Sequence, residues 1–388
     1  MKNEKRYITI GFDAGREPLD ELFWCEAEYD GSWTTISACD RIRTRRELIE
    51  RIGELEQAVI GIDVALSFPK GFIAFLAKEG IANDHKALSK KIRDDLKKNT
   101  EDGIRKWIEY MGRYRETKTE TQDDAYARFY HGKGPQEGRR RRTLEAHELR
   151  THVERFRRID RILRHEYPDS VASTLGIQYN RLTRRYEFTS ANARGRLALV
   201  GLSFLEQVRE AHPEVAVWPF ERPKAVTVVE TFPKLFEGKL KLGATELKEY
   251  FDREEDNALF VPREVREHVY AHEKAKETLF ALLGMLSAER RQDKTLRPMR
   301  DYRDAFYESD DVQLEGWVYG IGFREAKPAQ APKEKPKRER KEVSAPEETG
   351  ASSEPVTEAV ETVVETSAPE AIAAEVPATE PVSEATAE

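Results

Sequence analysis

Three short runs of this chain share one grammar, and that grammar limits the folds open to it. Tyr7-Ile8-Thr9-Ile10-Gly11-Phe12 is β-branched and aromatic, apolar on both faces, and leads into Asp13 and Gly15. Val59-Ile60-Gly61-Ile62 ends in Asp63, and Val226-Thr227-Val228-Val229 ends in Glu230. A strand without polar alternation belongs in the middle of a sheet covered on both sides. The pattern therefore predicts an α/β protein. A carboxylate where such a strand runs out is desolvated, and stability alone gives little reason for it.

The elements between these strands follow from their own signals. Residues 22–37 read as two strands around Asp30-Gly31, a strong hairpin-turn pair, and complete a three-stranded antiparallel meander. Residues 43–56 read as an amphipathic helix with Leu48, Ile49, Ile52 and Leu55 on one stripe. Strand, helix, strand in that order favours a parallel crossover, which would bring Asp63 to the sheet end that carries Asp13. Helices are predicted at 71–79, 86–98, 102–111, 143–165 and 196–211, with a loop at 131–142 and a short strand at 215–220. Residues 263–290 read as the last long helix, with Glu277 just before its most apolar half, and 314–321 as a final extended segment.

Charge divides the chain in two. The net charge is −7, yet residues 327–388 hold 7 Lys and Arg against 14 Asp and Glu, which leaves residues 1–326 neutral. The tail also carries 8 of the 18 prolines and no aromatic residue, so it is predicted to be disordered and acidic. It reads as a solubilising segment, with an electrostatic decoy or a tether for a protein partner as the functional alternatives. The expected organisation is one domain over 1–326, including a charged helical insertion at about 84–150, followed by this tail. Cys25 and Cys39 have no CxxC spacing, which argues against a disulfide framework and a zinc knuckle and suits a reducing, cytoplasmic setting. No apolar run approaches the ~20 residues that span a bilayer, so no membrane partner is expected.

Between Lys133 and Arg164 there are 11 Lys and Arg against 5 acidic residues. The run Arg139, Arg140, Arg141, Arg142 continues into Arg150, Arg155, Arg157, Arg158, Arg161 and Arg164. Guanidinium groups at this density can neutralise phosphates, and a solvated helix face is the plainer alternative. His85, His131, His147, His152 and His165 are scattered through the polar region and read as surface residues.

Carboxylates converging at one sheet end repel one another unless cations join them. Hard divalent ions with oxygen ligands, Mg²⁺ or Mn²⁺, are the natural resolution, and such ions activate water against a phosphodiester. The candidate catalytic and metal-ligating set is Asp13, Asp63, Glu230 and, on the late helix, Glu277. Each has a plainer reading: an Asx-turn for Asp13, a turn cap for Asp63, pairing with Arg222 or Lys224 for Glu230, and a solvated helix face for Glu277.

The order GFDAG, GIDVALSFP, VGLSFLEQVREAHPEVAVWPFE into VVETFPKLF, and finally EGWVYGI resembles the family catalogued as domain of unknown function 429. Its members are described as predicted nucleases with an RNase H-like fold. The resemblance covers residues 6–80 and about 153–322. It implies an RNase H-like mixed central sheet flanked by helices, a carboxylate metal site and a nucleic-acid partner. Asp13, Asp63 and Glu230 fall on the family's acidic positions. The late helix departs from the pattern, with Glu277-Thr278 where relatives have an Asp-Ala pair. The expectation is a metal-dependent nuclease. The alternative is a degraded scaffold that binds nucleic acid or protein without turnover.

Overall fold

The computed structural model describes residues 5–15, 17–19, 22–131, 156–167, 173–180, 182–188, 194–240, 246–255, 258–292 and 294–323. The predicted contacts at Arg139, Arg140, Arg141, Arg142 and Arg155, and the acidic tail, lie outside these residues. The strands are β1 (Lys5–Gly11), β2 (Phe23–Tyr29), β3 (Thr34–Arg41), β4 (Ala58–Ile62), β5 (Ile177–Asn180), β6 (Arg185–Phe188), β7 (Ala216–Val217), β8 (Val226–Glu230), β9 (Leu259–Phe260), β10 (Leu296–Arg297) and β11 (Gly320–Ile321). The helices are α1 (Arg45–Gly53), α2 (Lys70–Lys78), α3 (His85–Lys98), α4 (Thr100–His131), α5 (Arg158–Glu166), α6 (Arg194–Ala211), α7 (Pro233–Leu240), α8 (Glu246–Glu255), α9 (Arg263–Ala271), α10 (Glu273–Arg290), α11 (Asp304–Tyr307) and α12 (Asp310–Glu315).

Seven strands form one mixed sheet in the order β7-β8-β4-β1-β2-β3-β9. β1, β2 and β3 are the antiparallel meander, and β1, β4, β8 and β7 run parallel. The Asp30 carboxylate shapes the hairpin turn by accepting from Ser32 and Trp33 backbone N–H groups at 2.9 and 2.7 Å. Alternation along the strands sends Ile8, Ile10, Ile60, Ile62 and Val228 to one core, with Leu48, Phe72, Leu88 and Phe204 from the helices. Tyr7, Val59 and Val229 go to the other, with Phe236, Val269, Leu279 and Leu282. Each such side chain, once buried, contributes about 1.5–3 kcal/mol over its exposed state.

Several expectations are corrected. The helix foreseen over 263–290 is two helices, broken at His272, whose extended backbone (φ −130°, ψ 113°) ends α9 and starts α10. Two apolar stripes serving different parts of the sheet require that turn. The segment at 314–321 is strand only at Gly320–Ile321; Leu314 belongs to α12, and Val318 pairs singly with Glu230. Helix α4 runs well beyond the expected 102–111, while the helix expected at 143–165 is observed as Arg158–Glu166, residues 143–155 lying outside those described. Cys25 and Cys39 stand directly opposite each other in the β2–β3 register, and their sulfurs are bonded. CxxC spacing was the wrong signal there, because a hairpin makes neighbours of residues 14 apart. Among the described residues, no helix is long and apolar enough to cross a membrane.

Candidate functional site

The three carboxylate strands do lie side by side. Ile10 pairs with Ile62, and Ile62 with Glu230, so the C-terminal ends of β1, β4 and β8 form one edge. Asp13 and Asp63 continue from that edge, and the Asp63 backbone N–H still donates to the Ile10 carbonyl at 3.1 Å. Helix α10 crosses behind it, because Gly11 has no Cβ; one there would come within 2.2 Å of Thr278 Oγ1. Thr9 Oγ1 ties the crossing by donating to the Thr278 carbonyl at 2.7 Å. This close approach carries Lys274 and Glu277 to the end of β4.

Glu230 has a different partner from the two considered on sequence. It is 1% exposed, and Arg157, wholly buried, grips it as a fork: Nη2 to Oε1 at 2.5 Å and Nη1 to Oε2 at 2.6 Å. The Leu66 backbone N–H donates to Oε2 at 3.0 Å. On its other side Arg157 donates to Asp160 at 2.9 and 2.8 Å, and Arg194 reaches both Asp160 (3.2 Å) and Glu230 (3.6 Å). Burial by itself would raise the Asp160 carboxyl, but Arg157 and Arg194 outweigh it and hold Asp160 below its ordinary range. Burial would likewise lower Arg157; Asp160 and Glu230 reverse this and leave it firmly charged. Arg222 pairs instead with Asp304 at 2.6 Å, and Lys224 with Glu221 at 3.7 Å.

Asp63 stands beyond this clamp. Alternation along β4 sets it on the opposite side from Ile62 and Glu230, toward α10. Burial pushes its carboxyl up to about 6; Arg194 and Lys274 work against that, and Glu277 and Glu230 add to it. Glu277 is paired with Lys274 at 2.8 Å. Asp13 adopts its plainer role in part: its Oδ1 accepts the Gly15 N–H at 2.7 Å, while Arg45 donates to the Asp13 carbonyl at 3.1 Å. Among the described residues, no three acidic, His or Cys side chains are gathered where one metal ion would touch them all.

Other expected positions resolve as follows. Arg158 Nη1 donates to Asp311 at 3.1 Å, and its guanidinium lies 5.3 Å over the Phe323 ring. His85, expected at the surface, is buried; it opens α3, lies flat against Phe220 at 3.4 Å and donates from Nε2 to the Leu66 carbonyl at 2.9 Å. Ser67 donates to the Leu314 carbonyl at 2.5 Å, in keeping with a structural serine.

Arg157, expected among the phosphate-contacting arginines, is instead buried against Glu230, and Asp160 and Arg194 went unrecognised in the sequence. The available signal was Phe156 and Ile159 around Arg157 and Asp160, apolar residues that mark one Arg of a charge run as inward-facing. No family model matches this chain, and neither the curated proteins nor the solved structures contain a match to it.

Proposed function

We propose that this protein is an RNase H-like phosphodiesterase of nucleic acid, related to the family catalogued as domain of unknown function 429. The observation that carries the reading is the alignment of β1, β4 and β8, parallel neighbours whose carboxylates leave the sheet at one edge while α10 adds Glu277. That is the layout the resemblance implies.

The donors fit a hard divalent cation in a restricted way. All are oxygens, which suits Mg²⁺ or Mn²⁺. Burial is what chiefly raises Asp63, with Glu277 and Glu230 adding to it and Arg194 and Lys274 opposing, and a bound cation would offset that cost. Glu230 is already satisfied by Arg157. Mg²⁺ commonly takes one or two carboxylates and completes its shell with water and substrate phosphate, so Asp63 and Glu277 would suffice without a third carboxylate. When bound, such an ion supplies an activated water and offsets charge on the phosphodiester. The chain's own groups do the rest. Arg157 and Arg194 fix Glu230 and the edge around it. Lys274 adds positive charge for a phosphate beside Asp63. A carboxyl at about 6 accepts a proton near neutral pH.

The test is calorimetric titration of the full chain with Mn²⁺, followed by hydrolysis assays on labelled single- and double-stranded oligonucleotides. The expected result is saturable binding and cleavage, both lost in Asp63→Asn. No binding, with or without oligonucleotide, removes the reading. A second reading, a scaffold that binds without turnover, is favoured by the fork of Arg157 on Glu230, which occupies both oxygens of one acidic position. Metal-independent binding without cleavage would select it.

A further inference from the structure

Two adjoining cavities border the small β10–β11 sheet. One, of about 800 Å³, is lined by Arg291, Arg297, Arg300 and Arg303, with Tyr302, Phe306 and Phe323 at its wall. The other, of about 630 Å³, is lined by Arg158, Lys239, Lys294 and Arg297. They share Arg297, Gly322 and Phe323, and among the described residues the only acid lining either is Asp301, paired with Arg291 at 2.8 Å. Arg300 pairs with Glu289. No carboxylate among the described residues partners Arg297, Arg303 or Lys294. Residues 1–326 are neutral overall, so the general charge balance does not explain this run of cations.

We infer that these cavities form one groove that binds single-stranded nucleic acid. The inference deepens the reading above and rests on it for the class of partner. Three features converge. Five of the cations, Arg291, Lys294, Arg297, Arg300 and Arg303, are exposed and line two cavities that share Arg297, as contact with a phosphate backbone requires. Aromatic rings sit among them: Phe323 is half-buried, braced edge-on by Phe306 (5.3 Å) and Trp317 (5.5 Å), and capped by the Arg158 guanidinium. A ring and a guanidinium plane together offer the stacking surface that unpaired bases use, whereas paired bases hide their faces. Finally, Arg158 joins the groove to the candidate site, since the preceding residue is the Arg157 that holds Glu230.

The test is fluorescence anisotropy with the full chain and a labelled thymidine oligonucleotide of about 16 nucleotides, the upper end of common single-strand sites. Arg297→Glu/Arg303→Glu is expected to weaken binding on the order of tenfold or more. Arg297→Gln/Arg303→Gln is expected to lower the salt slope of log K by about 1.4, from about 0.7 per phosphate contact. Unchanged circular dichroism and an unchanged Mn²⁺ titration would show that fold and carboxylate edge are intact. Wild-type affinity and slope in both double variants would overturn the groove, as would tighter binding of the matching duplex. Binding that needs the groove but brings no cleavage would sink the phosphodiesterase reading and leave the groove standing.

Discussion

Replacing Arg157 with methionine probes the centre of the candidate site. In the protein this side chain makes four charge-assisted bonds of 2.5–2.9 Å to two buried carboxylates. Methionine keeps much of the volume and removes the charge. Asp160 and Glu230 would then be buried with Arg194 alone between them, at 3.2 and 3.6 Å. Removing one member of a buried pair costs about 3–5 kcal/mol, most of it the penalty of the stranded charge. Arg194 offsets part of this, so the lower half of that range, about 3 kcal/mol at pH 7, is expected. Buried Trp107, Trp218 and Trp317 provide the fluorescence readout for urea unfolding. The pH dependence has a definite sign. Asp160 is held below its ordinary value, so the stability it contributes is present above its unfolded pKa and lost as pH falls through the folded one. The variant lacks that contribution, so the gap between the proteins should close below about pH 4. The double variant Arg157→Met/Glu230→Gln should recover part of the loss, because the stranded carboxylate is gone. A loss under about 1 kcal/mol at pH 7, or a gap that persists in acid, would show that the clamp is not the stabilising unit argued above.

Two further outcomes follow from the same geometry. Asp63 is held near 6, above its unfolded value, so its ionisation opposes folding once pH rises through that window. Asp63→Asn should therefore be more stable than the parent at pH 8, by on the order of 1–2 kcal/mol after allowance for its partial exposure, and equal to it near pH 4; denaturant midpoints at those two pH values decide this, and a variant weaker throughout would contradict the electrostatic reading. Gly11→Ala should lower stability by about 1–3 kcal/mol through its collision with Thr278, and Gly11→Ala/Thr278→Ala should restore most of it if that contact, rather than chain entropy, is responsible.

Hydrophobic pattern alone determined the frame of this protein. Uninterrupted apolar runs at 7–12, 59–62 and 226–229 require a sheet covered on both faces, and the Asp-Gly turn and the crossover helix specify the meander and the parallel neighbours. These are local signals, and strand period and turn chemistry act over a few residues. The edge bearing Asp13, Asp63 and Glu230 was legible for the same reason. What each carboxylate does there was not, since it depends on groups far away along the chain. Arg157 lies 73 residues from the Glu230 it holds, inside a run of arginines that composition cannot sort into inward and outward members. The break at His272, the bond between Cys25 and Cys39 and the burial of His85 against Phe220 are likewise set by which surfaces meet. Tertiary packing decided them, because a charge or a ring takes its role from the dielectric and the partners around it, and only the folded chain brings those together.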